Sequence, residues 1–153
     1  MPSNATTATV YSSTFRFGVD PKRRVQVPSA WRPADEGTEF TLIVWPKYSE
    51  GICLRVMPPK KLEELFATLA GLPNDGAHKT RLKRTIGSKS AQVALDKAGR
   101  LCIPDEMARS AGITDEAVLV GMLDQFEIWN PGLHERINAA DEALSQEAFK
   151  LLE

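Results

Sequence analysis

A nine-residue pattern near the start of this chain recurs past its midpoint. Asp20-Pro21-Lys22-Arg23-Arg24-Val25-Gln26-Val27-Pro28 and Asp96-Lys97-Ala98-Gly99-Arg100-Leu101-Cys102-Ile103-Pro104 both read Asp-x-x-x-Arg-h-x-h-Pro, where h is aliphatic, at an offset of 76 residues. At an offset of 77, residues 40–44 lie over residues 117–121, and residues 52–56 resemble residues 126–130. Three matches in one order point to duplication of a single plan: strand, basic turn, strand, short helical turn, two-strand hairpin and helix.

Period-2 alternation supplies the strands. Phe15, Phe17 and Val19 share one face of the first, and Val25 and Val27 one face of the second; Val93 with Leu95, then Leu101 with Ile103, do the same in the second half. Pro28 and Pro104 end their strands, because proline cannot donate into a ladder. Ser29 and Asp105 then cap short helical turns that carry Trp31 and Met107 inward. Hairpin turns are expected at Glu50-Gly51 and Asp124-Gln125. Helices are expected over residues 59–70, with Leu62, Leu65, Phe66 and Leu69 on one face, over the basic residues 77–86, and over residues 139–152, with Leu144, Phe149 and Leu152 partly on one face. Gly71, Pro73 and Gly76 break the chain between the halves. Neither half is self-sufficient at this size, with strand edges left open. The predicted fold is α+β: after a flexible segment of residues 1–9, the halves 10–76 and 77–153 complete one pseudo-twofold sheet or barrel with flanking helices. Such symmetry places both basic turns on the same side.

Of 153 residues, 42% are hydrophobic and 25% charged, which suits one soluble domain or two very small ones. A net charge of −1 argues against a general polyanion binder, but its distribution does not. Residues 15–32 hold Arg16, Lys22, Arg23, Arg24 and Arg32 against Asp20 alone, and residues 77–100 hold Lys79, Arg81, Lys83, Arg84, Lys89, Lys97 and Arg100 against Asp96 alone. Two local positive fields are thus hidden in the sum. Cys53 and Cys102 cannot make a disulfide framework, no apolar run reaches the roughly 20 residues of a membrane span, and the amino terminus lacks a signal pattern. A reducing cytoplasm is the expected location.

The turn motif has two readings. Its aspartate can accept bonds from backbone N–H groups further along, an Asx-turn, and can pair with the arginine four residues later. A guanidinium held in one orientation is what bidentate recognition of a guanine edge or a phosphate requires. The plainer reading is a strand-connecting turn with an internal surface ion pair. Repetition of the motif, and the surplus charge of Lys22, Arg23 and Lys97, favour binding.

The second half, with Asp96, Gly99, Arg100 and Pro104 followed by Val118-Leu119-Val120-Gly121 and Phe126-Glu127-Ile128-Trp129, resembles the MraZ transcriptional regulators of the AbrB-like swapped-hairpin superfamily. The resemblance extends over the chain after about Val10. It implies tandem AbrB-like halves, a ring-like homo-oligomer, and binding to double-stranded DNA at repeated promoter sites, with repression of its own operon and of the division and cell-wall gene cluster. Such a protein is associated with the nucleoid. The DNA-binding residues it implies are Asp20, Lys22, Arg23 and Arg24 in the first turn and Asp96, Lys97 and Arg100 in the second. The first turn departs from the pattern, because Arg23 stands where the family has glycine. Either Arg23 takes a left-handed conformation at a cost of about 1 kcal/mol, or Pro21 sets a different turn and Arg23 adds a phosphate contact. Ser12-Ser13 also replaces the usual Arg-Gly, and residues 1–9 have no counterpart.

Other features carry less. Residues 79–89 form either a solvated basic helix face or a further DNA contact. Gly87-Ser88-Lys89-Ser90 lacks the upstream glycine spacing of a P-loop. His78 and His134 have no companion ligands, so neither metal nor cofactor is expected. The cysteines have no paired histidine, and Trp31, Trp45 and Trp129 suit a core or a subunit interface. An enzyme is disfavoured for want of a catalytic constellation. The competing reading is an AbrB-like antitoxin or other partner-binding module that uses the tail from Ala139.

Overall fold

The computed structural model of the chain describes residues 8–46, 51–73 and 77–153. The expected turn residue Glu50, most of the amino-terminal segment and residues 74–76 of the break lie outside the described residues. The elements in order are β1 (Thr14–Gly18), β2 (Arg24–Gln26), a 3-10 turn (Ser29–Trp31), β3 (Glu39–Pro46), β4 (Ile52–Met57), α1 (Pro59–Ala70) and α2 (Ala77–Ser88). There follow β5 (Ser90–Ala94), β6 (Arg100–Cys102), α3 (Asp105–Ala111), β7 (Glu116–Gly121), β8 (Phe126–Trp129), α4 (Pro131–Phe149) and a final 3-10 turn (Lys150–Leu152). The class is α+β. No described helix is long and apolar enough to cross a membrane.

Six strands form one antiparallel sheet in the order β1-β7-β8-β4-β3-β5, and β2 pairs with β6 in a separate two-stranded ribbon. Exchanging the two halves maps this order onto itself reversed. The registers obey the same exchange: Thr14 opposes Val120 in the β1–β7 pair, and Ser90 opposes Ile43 in the β3–β5 pair. Those partners are related by the offsets of 76 and 77 found in the sequence. Each half of the chain thus adds its first strand to the hairpin of the other. Edges that would be open in a lone half are paired.

Alternation along the strands separates two faces. Phe40 and Leu42 of β3, Leu54 and Val56 of β4, and Phe126 and Ile128 of β8 point to the main core, where they meet Val25, Val27, Leu101 and Ile103 from beneath the ribbon. Trp31 fills the centre, with its ring 4.9 Å from Phe126 and 5.3 Å from Phe15. Trp31 and Met107 are both buried. On the opposite face Cys53, Val118 and Trp129 pack against Ile137 and Leu133 of α4.

Several elements differ from the sequence reading. α4 starts at Pro131 rather than near Ala139, because the Asn130 side chain accepts from the Leu133 N–H at 3.1 Å and Pro131 occupies the first turn. An asparagine cap followed by proline is a start signal that tolerates Gly132 behind it. The second hairpin turns one residue earlier than expected: Leu123 has φ +70°, and the Met122 N–H donates to the Gln125 carbonyl at 2.8 Å. Phe66, Leu144, Phe149 and Leu152 are exposed, not packed on the body. Ser13, just before β1, adopts φ +82°, in the left-handed region.

A polar group is buried where the two hairpins meet. Arg55 opposes Glu127 across the β4–β8 pair and donates Nε to its Oε2 at 3.1 Å, while Glu127 Oε1 accepts from Trp129 Nε1 at 2.9 Å. The Arg55 guanidinium lies 4.2 Å from the Trp45 ring centroid. Removing one member of such a pair leaves a charge in a water-poor site, a loss of about 3 kcal/mol. Glu127→Ala is therefore expected to lower the unfolding free energy by about 3 kcal/mol, whereas replacing both partners by Met and Leu costs less, with urea melts as the measure. Equal losses in the single and double variants would contradict this.

Candidate nucleic-acid interface

The two Asp-x-x-x-Arg turns are nearly the same structure built from different sequences. In the first, Asp20 Oδ1 accepts from the backbone N–H groups of Lys22 and Arg24, each at 2.9 Å, and Oδ2 accepts from Arg24 Nε at 2.6 Å. In the second, Asp96 Oδ1 accepts from Ala98 N at 3.0 Å and Arg100 N at 2.9 Å, and Oδ2 accepts from Arg100 Nε at 2.9 Å. The turns close identically, Arg23 N to Asp20 O at 2.8 Å and Gly99 N to Asp96 O at 2.9 Å. Each aspartate is thus an Asx-turn and an arginine bracket at once. The Arg24 backbone N–H first, and then its guanidinium and the Lys22 N–H, hold the Asp20 carboxyl below the usual aspartate range. The Arg100 backbone N–H, then its guanidinium, do the same for Asp96.

Pairing of β2 with β6 joins the turns. Val25 faces Leu101 at the centre of the ribbon, flanked by Arg24 opposite Cys102 and Gln26 opposite Arg100. Val25 and Leu101 are wholly buried, so alternation puts Arg24, Gln26, Arg100 and Cys102 together on the outer face. Arg100 NH1 also comes within 4.0 Å of Asp20 Oδ2, which links the two brackets. Gln26 Nε2 donates to the Ala98 carbonyl at 3.0 Å and Cys102 Sγ to the Lys22 carbonyl at 3.4 Å, contacts that exchange under the repeat. Gln26 and Cys102 therefore belong to this surface, and the 76-residue offset that superposes them was the signal for it. Lys22 and Lys97 are exposed at the turn tips.

Arg23 keeps the turn and takes the left-handed conformation, φ +62° against +78° at Gly99. Its side chain points back into the protein, with Nε donating to the Ile103 carbonyl at 3.0 Å and NH1 3.9 Å from Asp105 Oδ1. At the second turn the matching bond, to the Val27 carbonyl at 3.0 Å, comes from Arg32 Nε. A Cβ at Gly99 would overlap the Arg32 guanidinium, whereas Ala108 holds the position that corresponds to Arg32 in the other half. One guanidinium thus caps each turn, supplied by a different position in each half. The basic helix α2 is elsewhere: Lys79 and Lys83 flank Thr41 and Ile43, on the face of the sheet opposite the ribbon.

Among the described residues no group of three His, Cys, Asp or Glu side chains is arranged to hold a metal. What the fold displays is a paired, pre-oriented arginine surface, which defines a class of α+β proteins with a duplicated basic turn. The family model described as "MraZ protein, putative antitoxin-like" matches residues 88–151. Proteins named "Transcriptional regulator MraZ" are similar over most of the chain. That of Caulobacter vibrioides is 29% identical over 94% of this chain and 91% of its own length. That of Rhodospirillum rubrum is 33% identical over 79% of each, and that of Burkholderia cenocepacia 36% identical over 73% of this chain and 76% of its own. The chain belongs to the MraZ family.

Two outcomes follow from the turns. Gly99→Arg is expected to destabilise by about 2 kcal/mol through overpacking against Arg32, and Arg32→Ala in the same chain recovers most of that loss in a thermal or urea melt. Depressed carboxyl pKa values stabilise the turns above the ordinary aspartate value of about 3.9, and that contribution is lost as pH falls through the lowered values in the folded chain. Carbon NMR of the Asp20 and Asp96 carboxyls is expected to show both titrating below their ordinary range; ordinary titration would show the brackets to be absent in solution.

Proposed function

We propose that this chain is a sequence-specific DNA-binding transcriptional regulator that reads duplex DNA with the outer face of the β2–β6 ribbon. The observation that carries the reading is the register that sets Arg24 and Arg100 on one face, each bracketed by an aspartate through Nε. A guanidinium fixed at Nε offers its terminal nitrogens in one plane, the geometry that suits guanine O6 and N7 or a phosphate. Lys22 and Lys97 at the turn tips are placed for sequence-independent phosphate contacts. Arg23 acts differently, as the internal cap of the first turn. The names of the relatives support regulation of transcription.

On this reading the halves 10–76 and 77–153 are tandem AbrB-like units of the swapped-hairpin type, completed by exchange of their first strands. Each subunit presents a two-turn reading head of limited affinity. A homo-oligomeric ring would repeat that head, and repeated promoter sites would engage several heads at once, so avidity rather than one tight contact supplies affinity. The targets are the chain's own operon and the division and cell-wall cluster, repressed from a cytoplasmic, nucleoid-associated pool.

The test is a gel shift with the DNA upstream of its own gene. Arg100→Ala and Arg24→Ala are each expected to weaken specific binding by about 5- to 150-fold, from the roughly 1 to 3 kcal/mol of a bidentate base contact, with the assembly mass unchanged. Lys22→Ala and Lys97→Ala should instead each reduce the log–log salt slope by about 0.9. Undiminished operator affinity in both arginine variants contradicts the proposal.

A further inference from the structure

Exchange of the two halves makes the β2–β6 ribbon a nearly twofold object. The offset of 76 carries Asp20 onto Asp96, Arg24 onto Arg100 and Val25 onto Leu101, so the bracketed arginines are equivalent about the Val25–Leu101 pair. The major groove admits a two-stranded ribbon, and a twofold head seated there reads a palindromic step, one arginine to each strand. One outward pair breaks the equivalence. Gln26 stands where its counterpart is Cys102.

Both residues adjoin an arginine. Gln26 is opposite Arg100 in the register, and Cys102 is opposite Arg24. Cross-strand neighbours sit about 5 Å apart, comparable with the roughly 3.4 Å between stacked base pairs. Each therefore lies beside the base pair that its arginine neighbour would contact. Their backbone partners also correspond: Gln26 Nε2 donates to the Ala98 carbonyl at 3.0 Å, and Cys102 Sγ to the Lys22 carbonyl at 3.4 Å. What differs is the capacity left over. A glutamine amide has two N–H donors and a carbonyl acceptor, so the bond to Ala98 fixes the amide and leaves one donor and one acceptor. That pair matches adenine N7 and the adenine N6 amino group. A thiol has one weak donor, which the Lys22 carbonyl takes, and no second polar group to complete a bidentate contact.

We infer that Gln26 selects an adenine next to the base pair contacted by Arg100, that Cys102 selects no base next to the one contacted by Arg24, and that each head therefore reads a non-palindromic site in one orientation. This rests on the proposed function and deepens it: the arginines supply two equivalent contacts, and one glutamine supplies the direction. Gln26 and Cys102 both lie on the outer face of the ribbon, so substitutions there leave the buried Val25–Leu101 pair in place.

Selection from a random duplex library, followed by sequencing, gives the unit motif bound by the full chain and by its variants. The wild-type motif should hold the two arginine-read positions and an adenine on one side only. Gln26→Ala should lose the adenine preference, a discrimination of about 5- to 150-fold, and keep the positions that depend on Arg24 and Arg100. Cys102→Gln should add the adenine on the other side and make the motif palindromic. The double variant Gln26→Cys/Cys102→Gln should recover the one-sided motif that Gln26→Cys alone has lost, with circular dichroism melts unchanged throughout. A palindromic wild-type motif, an adenine preference that survives Gln26→Ala, loss of every base preference in that variant, or a Cys102→Gln motif with no added adenine would overturn the inference. A wild type that enriches no motif, or one indifferent to Arg24→Ala and Arg100→Ala, defeats the proposed function and this inference with it. A motif that needs those arginines but not Gln26 defeats this inference alone.

Discussion

Burial of Val25 and Leu101, paired back to back at the centre of a three-residue ribbon, governs the geometry of everything outside it. A two-stranded ribbon this short has little stability of its own. It is held because its inner side chains, with Val27 and Ile103, are wholly buried against Trp31, Phe40 and Phe126. Strand alternation then leaves no choice for the outer positions, since a slip of one residue would turn every arginine inward. The hydrophobic core thus orients the two guanidinium groups, and the aspartate brackets only refine their planes.

The duplicated plan was legible because turn chemistry is local. The Asp-x-x-x-Arg motif, the prolines that end β2 and β6, and the inward Trp31 and Met107 all depend on near neighbours in the chain. What sequence could not show was which half pairs with which: β1 finds β7 and β5 finds β3, contacts across about 100 and 50 residues that only the completed sheet decides. The destination of the Arg23 side chain was illegible for the same reason. Whether an arginine at that site reaches outward or caps its own turn depends on Ala108, far away in sequence, leaving the space that Arg32 fills at the other turn. The exposed Phe66 and Leu144 matched a helical stripe, but a stripe says only that a face is apolar, not what covers it.

Charge is sorted by face rather than by total. The ribbon side carries the bracketed arginines with Lys22 and Lys97, while Lys79 and Lys83 of α2 stand behind the sheet. A net charge of −1 is therefore compatible with a strong local field toward a polyanion. One face is shaped by burial to present cations in fixed planes, and the other carries a groove between α1 and α2.

The central claim, that Arg24 and Arg100 act together on one face, is tested most directly by arginine Nε–Hε NMR signals during titration with operator DNA. The account predicts that both signals shift at the same DNA concentration, while those of Arg81 and Arg84 on α2 shift far less. Shifts concentrated on α2, or at only one of the two ribbon arginines, would contradict it.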